Sequence, residues 1–249
     1  MWKDLTGLMR RKILNLAASP RPAGSDAQPI RFGDPATEAS AKVAGEGTVR
    51  FVTPAIRPDI EVAFVKRDRP YRQITEIAEY RYDDIRPTDF VVDIGANVGA
   101  FCIQAARYSG HVTAVEPVAT DILQENIQLN GACVKVIGGA LGDGNPAEIS
   151  WDGCRARVPT YTLRQIIGMA GGCDFLKCDC EGGEWQIRPE DLAGIRRIEM
   201  ELHLPPIGGR PNQALLDSIG RNYDFEIERI PGHEVMGVMG ILHAIHRDG

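Results

Sequence analysis

No stretch of this sequence holds the roughly 20 consecutive apolar residues that a membrane-spanning helix needs. The opening segment, MWKDLTGLMRRKILNLA, is positively charged but has no continuous apolar run, which argues against a secretory signal. Positive charge is not in excess overall: 28 Lys and Arg stand against 34 Asp and Glu, a net charge of −6. Nucleic-acid binding depends on basic patches that neutralise phosphate, so neither a nucleic-acid partner nor an integral membrane location is expected. Cysteine is sparse. Cys102, Cys133, Cys154, Cys173, Cys178 and Cys180 make neither a disulfide framework for a chain this long nor the paired C-x-x-C knuckles of a zinc site. They read as reduced thiols, and a cytoplasmic location is expected. Internal repeats are absent as well.

What is present suits one sizeable α/β domain with an N-terminal extension. Residues 1–47 divide into an amphipathic helix over 2–16 and an Ala-, Pro-, Gly- and Ser-rich linker over 17–47. The basic face of that helix suits a membrane surface or a partner. Packing on its own domain, or on a second copy in a homodimer, is the favoured reading. Residues 48–249 form the main domain. Within it, 48–88 reads as a hairpin (48–53 with 60–66) followed by a helix over 71–85, and 89–249 as the core. In the core, short apolar strands alternate with helices: strands at 90–95, 111–117, 134–141, 175–182 and 196–204, helices at 97–110, 119–131 and near 161–167. An antiparallel pair at 225–230 and 240–247 ends the chain. Such alternation predicts a Rossmann-like, doubly wound, seven-stranded, mostly parallel sheet covered on both faces.

The sharpest motif is Asp93-Ile94-Gly95-Ala96-Asn97-Val98-Gly99, between a predicted strand and a predicted helix. Glycine there lets the backbone turn tightly and approach a ligand beyond the carboxyl ends of the strands. The spacing is not the G-x-G-x-x-G of a dinucleotide site, and an acid, Asp93, stands just before it. A carboxylate repels a diphosphate but suits the sulfonium and ammonium groups of S-adenosylmethionine. Glu116, at the end of the next strand, can accept both ribose hydroxyls of a nucleoside. Pro117 follows it, and Asp143 at the third strand end can meet an adenine edge. The expected cofactor residues are therefore Asp93, Gly95, Asn97, Gly99, Glu116, Pro117 and Asp143.

Between Phe90 and His203 the chain resembles the FkbM-type methyltransferases. The likeness is carried by DIGANVG (93–99), AVEP (114–117), Asn126 with Asn130, ALGD (140–143), VPTYTLRQII (158–167), DFLKCDCEGGEW (174–185) and EMELH (199–203). The segment from Asp174 to Glu184 is the most specific to that family. Residues 1–70 lie outside the resemblance, and Cys178 and Cys180 depart from it, since aliphatic residues are usual there. The resemblance implies a seven-stranded class I methyltransferase fold. It also implies methyl transfer to hydroxyl groups of sugars, polyketides and other natural products.

Strand alternation places Lys177, Asp179 and Glu181 on one face of the fourth strand, and Glu199, Glu201 and His203 on one face of the fifth. Methyl transfer from a sulfonium needs an aligned acceptor and a base. The expected base is His203, with a pKa near neutrality, or Asp179. Glu181 orients the acceptor and Lys177 pairs with a carboxylate. Asp179, Glu181, Glu201 and His203 can also hold magnesium or manganese, although the sequence sets no metal requirement. Among the aromatics Tyr71, Tyr80, Tyr82, Trp151 and Trp185, the substrate contacts expected are Trp185 and Tyr82. The leading reading is O-methylation of a small hydroxylated acceptor. An N-methyltransferase, a non-catalytic nucleoside-binding module and an NAD-dependent oxidoreductase are the competitors, the last opposed by the glycine spacing.

Overall fold

The computed structural model describes residues 79–151, 154–230 and 237–248, with shorter pieces at 39–42, 48–52, 63–64, 72–75, 77 and 232–233. The expected helix over 2–16, Tyr71 and most of the expected strand over 60–66 lie outside the described residues. Two short strands come first, β1 (Ala39–Lys42) and β2 (Thr48–Val52), paired antiparallel. Part of the expected linker is thus a strand, and it is the described partner of 48–52 on that side. Residues 63–64 of the other expected partner are not in a strand.

The core strands are β3 (Phe90–Ile94), β4 (His111–Glu116), β5 (Val134–Gly138), β10 (Phe175–Cys178), β11 (Arg197–His203), β12 (Tyr223–Glu228) and β13 (Val238–His246). Between them run β6 (Ala140–Leu141), β7 (Ala147–Trp151), β8 (Cys154–Val158) and β9 (Thr160–Tyr161), outside the main sheet. The sheet order is β1-β2-β12-β13-β11-β10-β3-β4-β5. Its seven core strands are parallel except β13, which runs antiparallel to β11 and to β12. The chain starts the core in mid-sheet at β3, steps outward to β5, then returns to β10 on the other side. That reversal between β3 and β10 is where an open α/β sheet leaves a crevice for a ligand.

Among the described residues four α-helices connect the strands: α1 (Ala100–Ala105), α2 (Thr120–Leu129), α3 (Leu163–Ala170) and α4 (Gln213–Asn222). α3 starts at a capping box in which the Thr162 hydroxyl accepts from the Gln165 backbone N–H, and it ends on left-handed Gly171. α1 is shorter than its expected 97–110, because Asn97 (φ 50°) and Gly99 (φ 99°) turn in left-handed geometry before it begins. All six of its residues are buried, so it is a core plug rather than an amphipathic helix. Two apolar layers result. One holds Ile166, Leu192 and Leu215 against one sheet face; the other holds Phe101, Ile103 and Tyr82 against the opposite face.

The expected helix over 71–85 is not formed; its described residues run as irregular chain and turns. The sheet face beneath explains this. Asp93, Lys177 and Glu199 lie in register across β3, β10 and β11, and His243 and Glu226 continue the row across β13 and β12. A helix could not supply backbone donors to these charges, since its own N–H groups are occupied. Irregular chain can. The Arg81 N–H donates to Glu199 at 2.9 Å, and its guanidinium meets Glu228 at 3.2 Å and pairs with Glu226.

Two other boundaries moved. The expected strand over 134–141 splits at Gly139, where a Cβ would come within 2.8 Å of the Pro159 carbonyl oxygen. Past that point β6 leaves the main sheet and pairs with β9. The expected strand over 175–182 stops at Cys178, and Glu181 takes a left-handed turn at φ 54°.

Candidate active site

The carboxyl ends of β3, β4 and β10 open onto a cavity of about 600 Å³, a volume in the usual range for small-molecule sites. Gly95, Asn97, Glu116 and Pro117 line one side of it. Leu141, Gly142 and Asp143 line a second, and Asp179, Glu181 and Gly182 a third. The β7–β8 hairpin contributes Ile149 and Ser150.

Glu116 is 5% exposed. Its Oε1 accepts the N–H groups of Val118 (2.6 Å) and Ala119 (2.9 Å), and its Oε2 accepts that of Asn97 (2.8 Å). One side chain therefore ties the glycine loop to the start of α2. Burial pushes its carboxyl up despite the three donors that oppose it. Asn97 works outward in the same way: its amide oxygen accepts from Ile74 N–H at 2.8 Å and its amide nitrogen donates to the Arg72 carbonyl at 3.1 Å. These bonds hold the irregular segment along the cavity rim, where Ile74 joins the lining. Asp143 is exposed at the third strand end. The N–H of Asn145 donates to it at 2.8 Å and draws its carboxyl below the usual range.

Asp93 and Gly99 support the loop from behind the cavity wall. Asp93 is fully buried, 3.2 Å from Lys177 Nζ, and accepts the Cys102 N–H at 3.1 Å. Its charge is thus spent on a lysine, and it does not face the cavity as the sequence reading expected. Lys177 also donates to the Gly95 carbonyl at 3.1 Å and lies 3.9 Å from Asp179 Oδ2. Burial works against the ammonium charge, but Asp93 and Asp179 outweigh it and keep Lys177 protonated. A Cβ on Gly99 would come within 2.8 Å of Leu123 and 2.9 Å of Ile103, so its place is set by packing of α2 on α1.

The acidic end of the cavity is built from the end of β10, the EGGE turn and the end of β11. Asp179 Oδ2 accepts the Tyr80 hydroxyl at 2.9 Å. Burial raises the Asp179 carboxyl, but Lys177, Glu201, His203 and Tyr80 outweigh that and hold it below its ordinary value. His203 is 1% exposed and stands just behind the wall. Its Nε2 lies 3.4 Å from Glu181 Oε2, 3.4 Å from Glu201 Oε2 and 3.8 Å from Asp179 Oδ1. Its Nδ1 lies 3.2 Å from Glu184 Oε1, and Glu184 also accepts the backbone N–H groups of His203 and Gly182, each at 2.8 Å. Burial alone would lower the His203 pKa; Glu184 and Glu201 outweigh it and push it up to about 11. The expectation of a near-neutral base at His203 is therefore corrected: with no cation beside it, the surrounding carboxylates favour the protonated imidazole at neutral pH. Glu201 moves the other way from an ordinary carboxyl, to about 7, through burial and the nearby Asp179, with His203 opposing.

Neither expected substrate aromatic lines the cavity. Trp185 is buried and its indole N–H donates to the His203 carbonyl at 2.6 Å, which fixes the end of β11. Tyr82 is a core residue, edge-on to Phe101 with centroids 6.5 Å apart. Tyr80 instead reaches the site. The described cysteines are free thiols, with Cys178 and Cys180 Sγ atoms 3.5 Å apart.

No family model matches this chain. A curated relative, a probable ribosomal RNA small subunit methyltransferase A from Methanothermobacter thermautotrophicus, is 37% identical over 62 residues. That match covers 24% of this chain and 22% of the relative, about a fifth of its length. Solved structures with a similar fold include a dimethyladenosine transferase from Plasmodium falciparum, at TM-score 0.42 and 8% identity over 67% of this chain and 59% of that one. Another is TYW2 from M. jannaschii in complex with AdoMet, at TM-score 0.39 and 19% identity over 65% and 69%. A Rossmann-superfamily protein from Streptococcus agalactiae follows at TM-score 0.38 and 15% identity over 66% and 65%.

Sequence reasoning placed Glu184 with Glu181 where the fourth strand opens but assigned it no role, and it missed the extent of the charged row. Glu184 had a signal: it follows two glycines, one left-handed, at a position where a carboxylate can turn back onto the backbone N–H of Gly182. Arg81 and His243 carried none, since their partners are brought together only by the sheet register. Among the described residues no helix is long and apolar enough to cross a membrane.

Proposed function

We propose that this chain is an S-adenosylmethionine-dependent methyltransferase of the FkbM type, transferring a methyl group to a hydroxyl of a small acceptor such as a sugar, glycoside or polyketide. The observation that carries the reading is one cavity with two differently built ends. At one, Glu116 and the glycine loop offer a carboxylate and close backbone approach to a nucleoside. At the other, Asp179 and Glu181 face the same space. The cavity volume and the Glu116 edge fit an adenosyl ligand, with Asp143 near the base.

When bound, the cofactor supplies a methyl group already activated by its sulfonium. The chain's own residues position the acceptor and remove its proton. Asp179 receives that proton through Oδ1, while Tyr80 and Lys177 hold Oδ2 in place. A carboxylate of low basicity is adequate, because an oxygen that is gaining a methyl group becomes strongly acidic. Glu181 orients the acceptor, and His203, held from behind by Glu184, stands among the carboxylates of Asp179, Glu181 and Glu201.

An amine acceptor, or an RNA like that named for the curated relative, is the competing substrate class. The acidic lining formed by Glu116, Asp143, Glu148, Asp179 and Glu181 opposes a phosphate-rich acceptor.

Thermal unfolding with S-adenosylmethionine, S-adenosylhomocysteine and NAD, followed by labelled methyl transfer to a panel of polyols, amines and RNA, tests this. An adenosyl ligand at about 100 times its Kd is expected to add about 2.7 kcal/mol of stability, and NAD nothing. Glu116→Gln should weaken adenosyl binding about 10- to 100-fold, the loss expected for hydrogen bonds made to a charged acceptor. Stabilisation by NAD alone, or methyl transfer to RNA and not to polyols, would overturn the proposal.

A further inference from the structure

The acidic end of the cavity gathers three carboxylates about one buried imidazole. His203 is 1% exposed, and Glu184, itself fully buried, holds it at two points, the ring Nδ1 and the backbone N–H. That anchor turns Nε2 away from Glu184 and toward Asp179, Glu181 and Glu201. A carboxylate behind a histidine, with the far ring nitrogen aimed at further donors, is the usual outer shell of a metal-binding imidazole. The donor atoms also stand too far apart for good hydrogen bonds. Nε2 lies at 3.4, 3.4 and 3.8 Å from the three carboxylates, and donor atoms of Asp179, Glu181 and His203 all fall within 4.8 Å of one another. Neighbouring ligands of a six-coordinate cation with bonds of about 2.1–2.4 Å are about 3.0–3.4 Å apart. Spacings of this order suit donors around a shared ion.

We propose that Asp179, Glu181 and His203, with Glu201 within reach, bind one hard divalent cation of the magnesium or manganese class. Oxygen donors with a single imidazole favour that class over zinc or copper, and the absence of cysteine among these donors agrees. Asp179 and Glu181 line the cavity while His203 stands behind it, so the open coordination positions face the acceptor. An acceptor that presents two adjacent oxygens, such as a vicinal diol, can chelate the ion and set one hydroxyl toward the methyl donor. The acceptor class rests on the methyltransferase reading; the cation site does not. A proton on Nε2 is the competing occupant.

The test uses full-length protein stripped with EDTA and titrated with Mn²⁺, free Mn²⁺ being followed by its electron paramagnetic resonance signal, without cofactor. One bound Mn²⁺ per chain is expected. Glu181→Gln and His203→Gln should each weaken binding at least 10-fold. Glu184→Gln, which touches no ion, should weaken it about 10- to 100-fold by releasing the ring. Asp224→Asn, at an exposed position near the start of β12 and paired with Arg247, should leave it unchanged. Glu181 has a side chain 40% exposed, so its variant will fold, and thermal unfolding in EDTA checks the others. No Mn²⁺ bound at about 1 mM, the weak end of protein sites for divalent ions, would overturn the proposal. So would equal binding in wild type and Glu181→Gln, or binding of Zn²⁺ without Mn²⁺. Adenosyl binding measured in EDTA separates the two readings: its presence without Mn²⁺ binding removes only the cation site, and the reverse removes only the cofactor assignment.

Discussion

Gly95→Ala is expected to destabilise the protein by more than about 4 kcal/mol, the range that a buried steric conflict reaches. In a domain of this size that corresponds to a melting temperature about 8–16 °C lower. Gly95 has φ +76°, and a Cβ built there would fall 1.7 Å from the Asp179 carbonyl oxygen and 2.8 Å from its carbonyl carbon. Backbone cannot rotate aside as a side chain can. Either the glycine loop lifts, breaking the Gly95 and Ala96 N–H bonds to Val115 (2.9 and 3.2 Å), or the end of β10 moves and takes the Asp179 carboxylate with it. Gly131 supplies the control. It also has positive φ, +60°, but nothing lies within 4 Å of its Cβ position. Gly131→Ala should therefore cost only the left-handed backbone term, about 1–2 kcal/mol. Thermal unfolding of both variants reads the difference. Equal losses would mean that the glycine loop does not press on Asp179, and that the close contact between β3 and β10 is wrongly placed.

That contact shows which parts of the molecule the sequence exposes and which it hides. The core strands and helices were readable because each carries its own local signal. β3 and β4 are largely apolar runs of strand length, β11 alternates apolar with charged residues at strand period, α2 and α3 have helical spacing and end at Gly131 and Gly171, and the terminal antiparallel pair follows its expected course. The lysine–carboxylate pairing of Lys177 was readable from parity, since three charges on one side of a buried strand demand partners. Where local pattern and long-range contact disagree, the reading failed. Residues 71–85 read as a helix carrying Tyr71, Tyr80 and Tyr82, but the sheet face beside Arg81 is charged and takes that residue's backbone donor. Trp185 and Tyr82 are aromatic residues near the site in sequence, yet both are buried in structural roles. The electrostatic character of His203 was the deepest omission. Its pKa of about 11 depends on Glu184 and Glu201 converging on one ring from two elements, and no spacing rule reports such convergence.

Asp179→Asn is expected to lower kcat for methyl transfer to a hydroxyl by about 10²- to 10⁴-fold, the span of a lost general base. The affinity for S-adenosylmethionine should change little, because Glu116 and the glycine loop at the other end of the cavity are untouched. Folding should survive. Asparagine keeps an oxygen that can accept the Tyr80 hydroxyl, and the Lys177 ammonium retains Asp93 at 3.2 Å. What is lost is the negative charge that takes the proton, or, with the cation present, a ligand that fixes the acidified acceptor. Tyr80→Phe marks the difference between acting and positioning. It leaves the charge but frees the carboxylate, so a smaller fall in kcat is expected, with a shifted pH profile for the now less stabilised Asp179. An amine acceptor sharpens the reading further, since a neutral amine attacks without base assistance. If Asp179→Asn retained full turnover on polyols, Asp179 would be a structural partner of Lys177 and Tyr80 alone. If it lost turnover on polyols but kept it on amines, the same carboxylate would be the base for oxygen acceptors and a bystander for nitrogen. The first outcome removes the mechanism, and the second fixes which acceptor atom the acidic end of the cavity is built to serve.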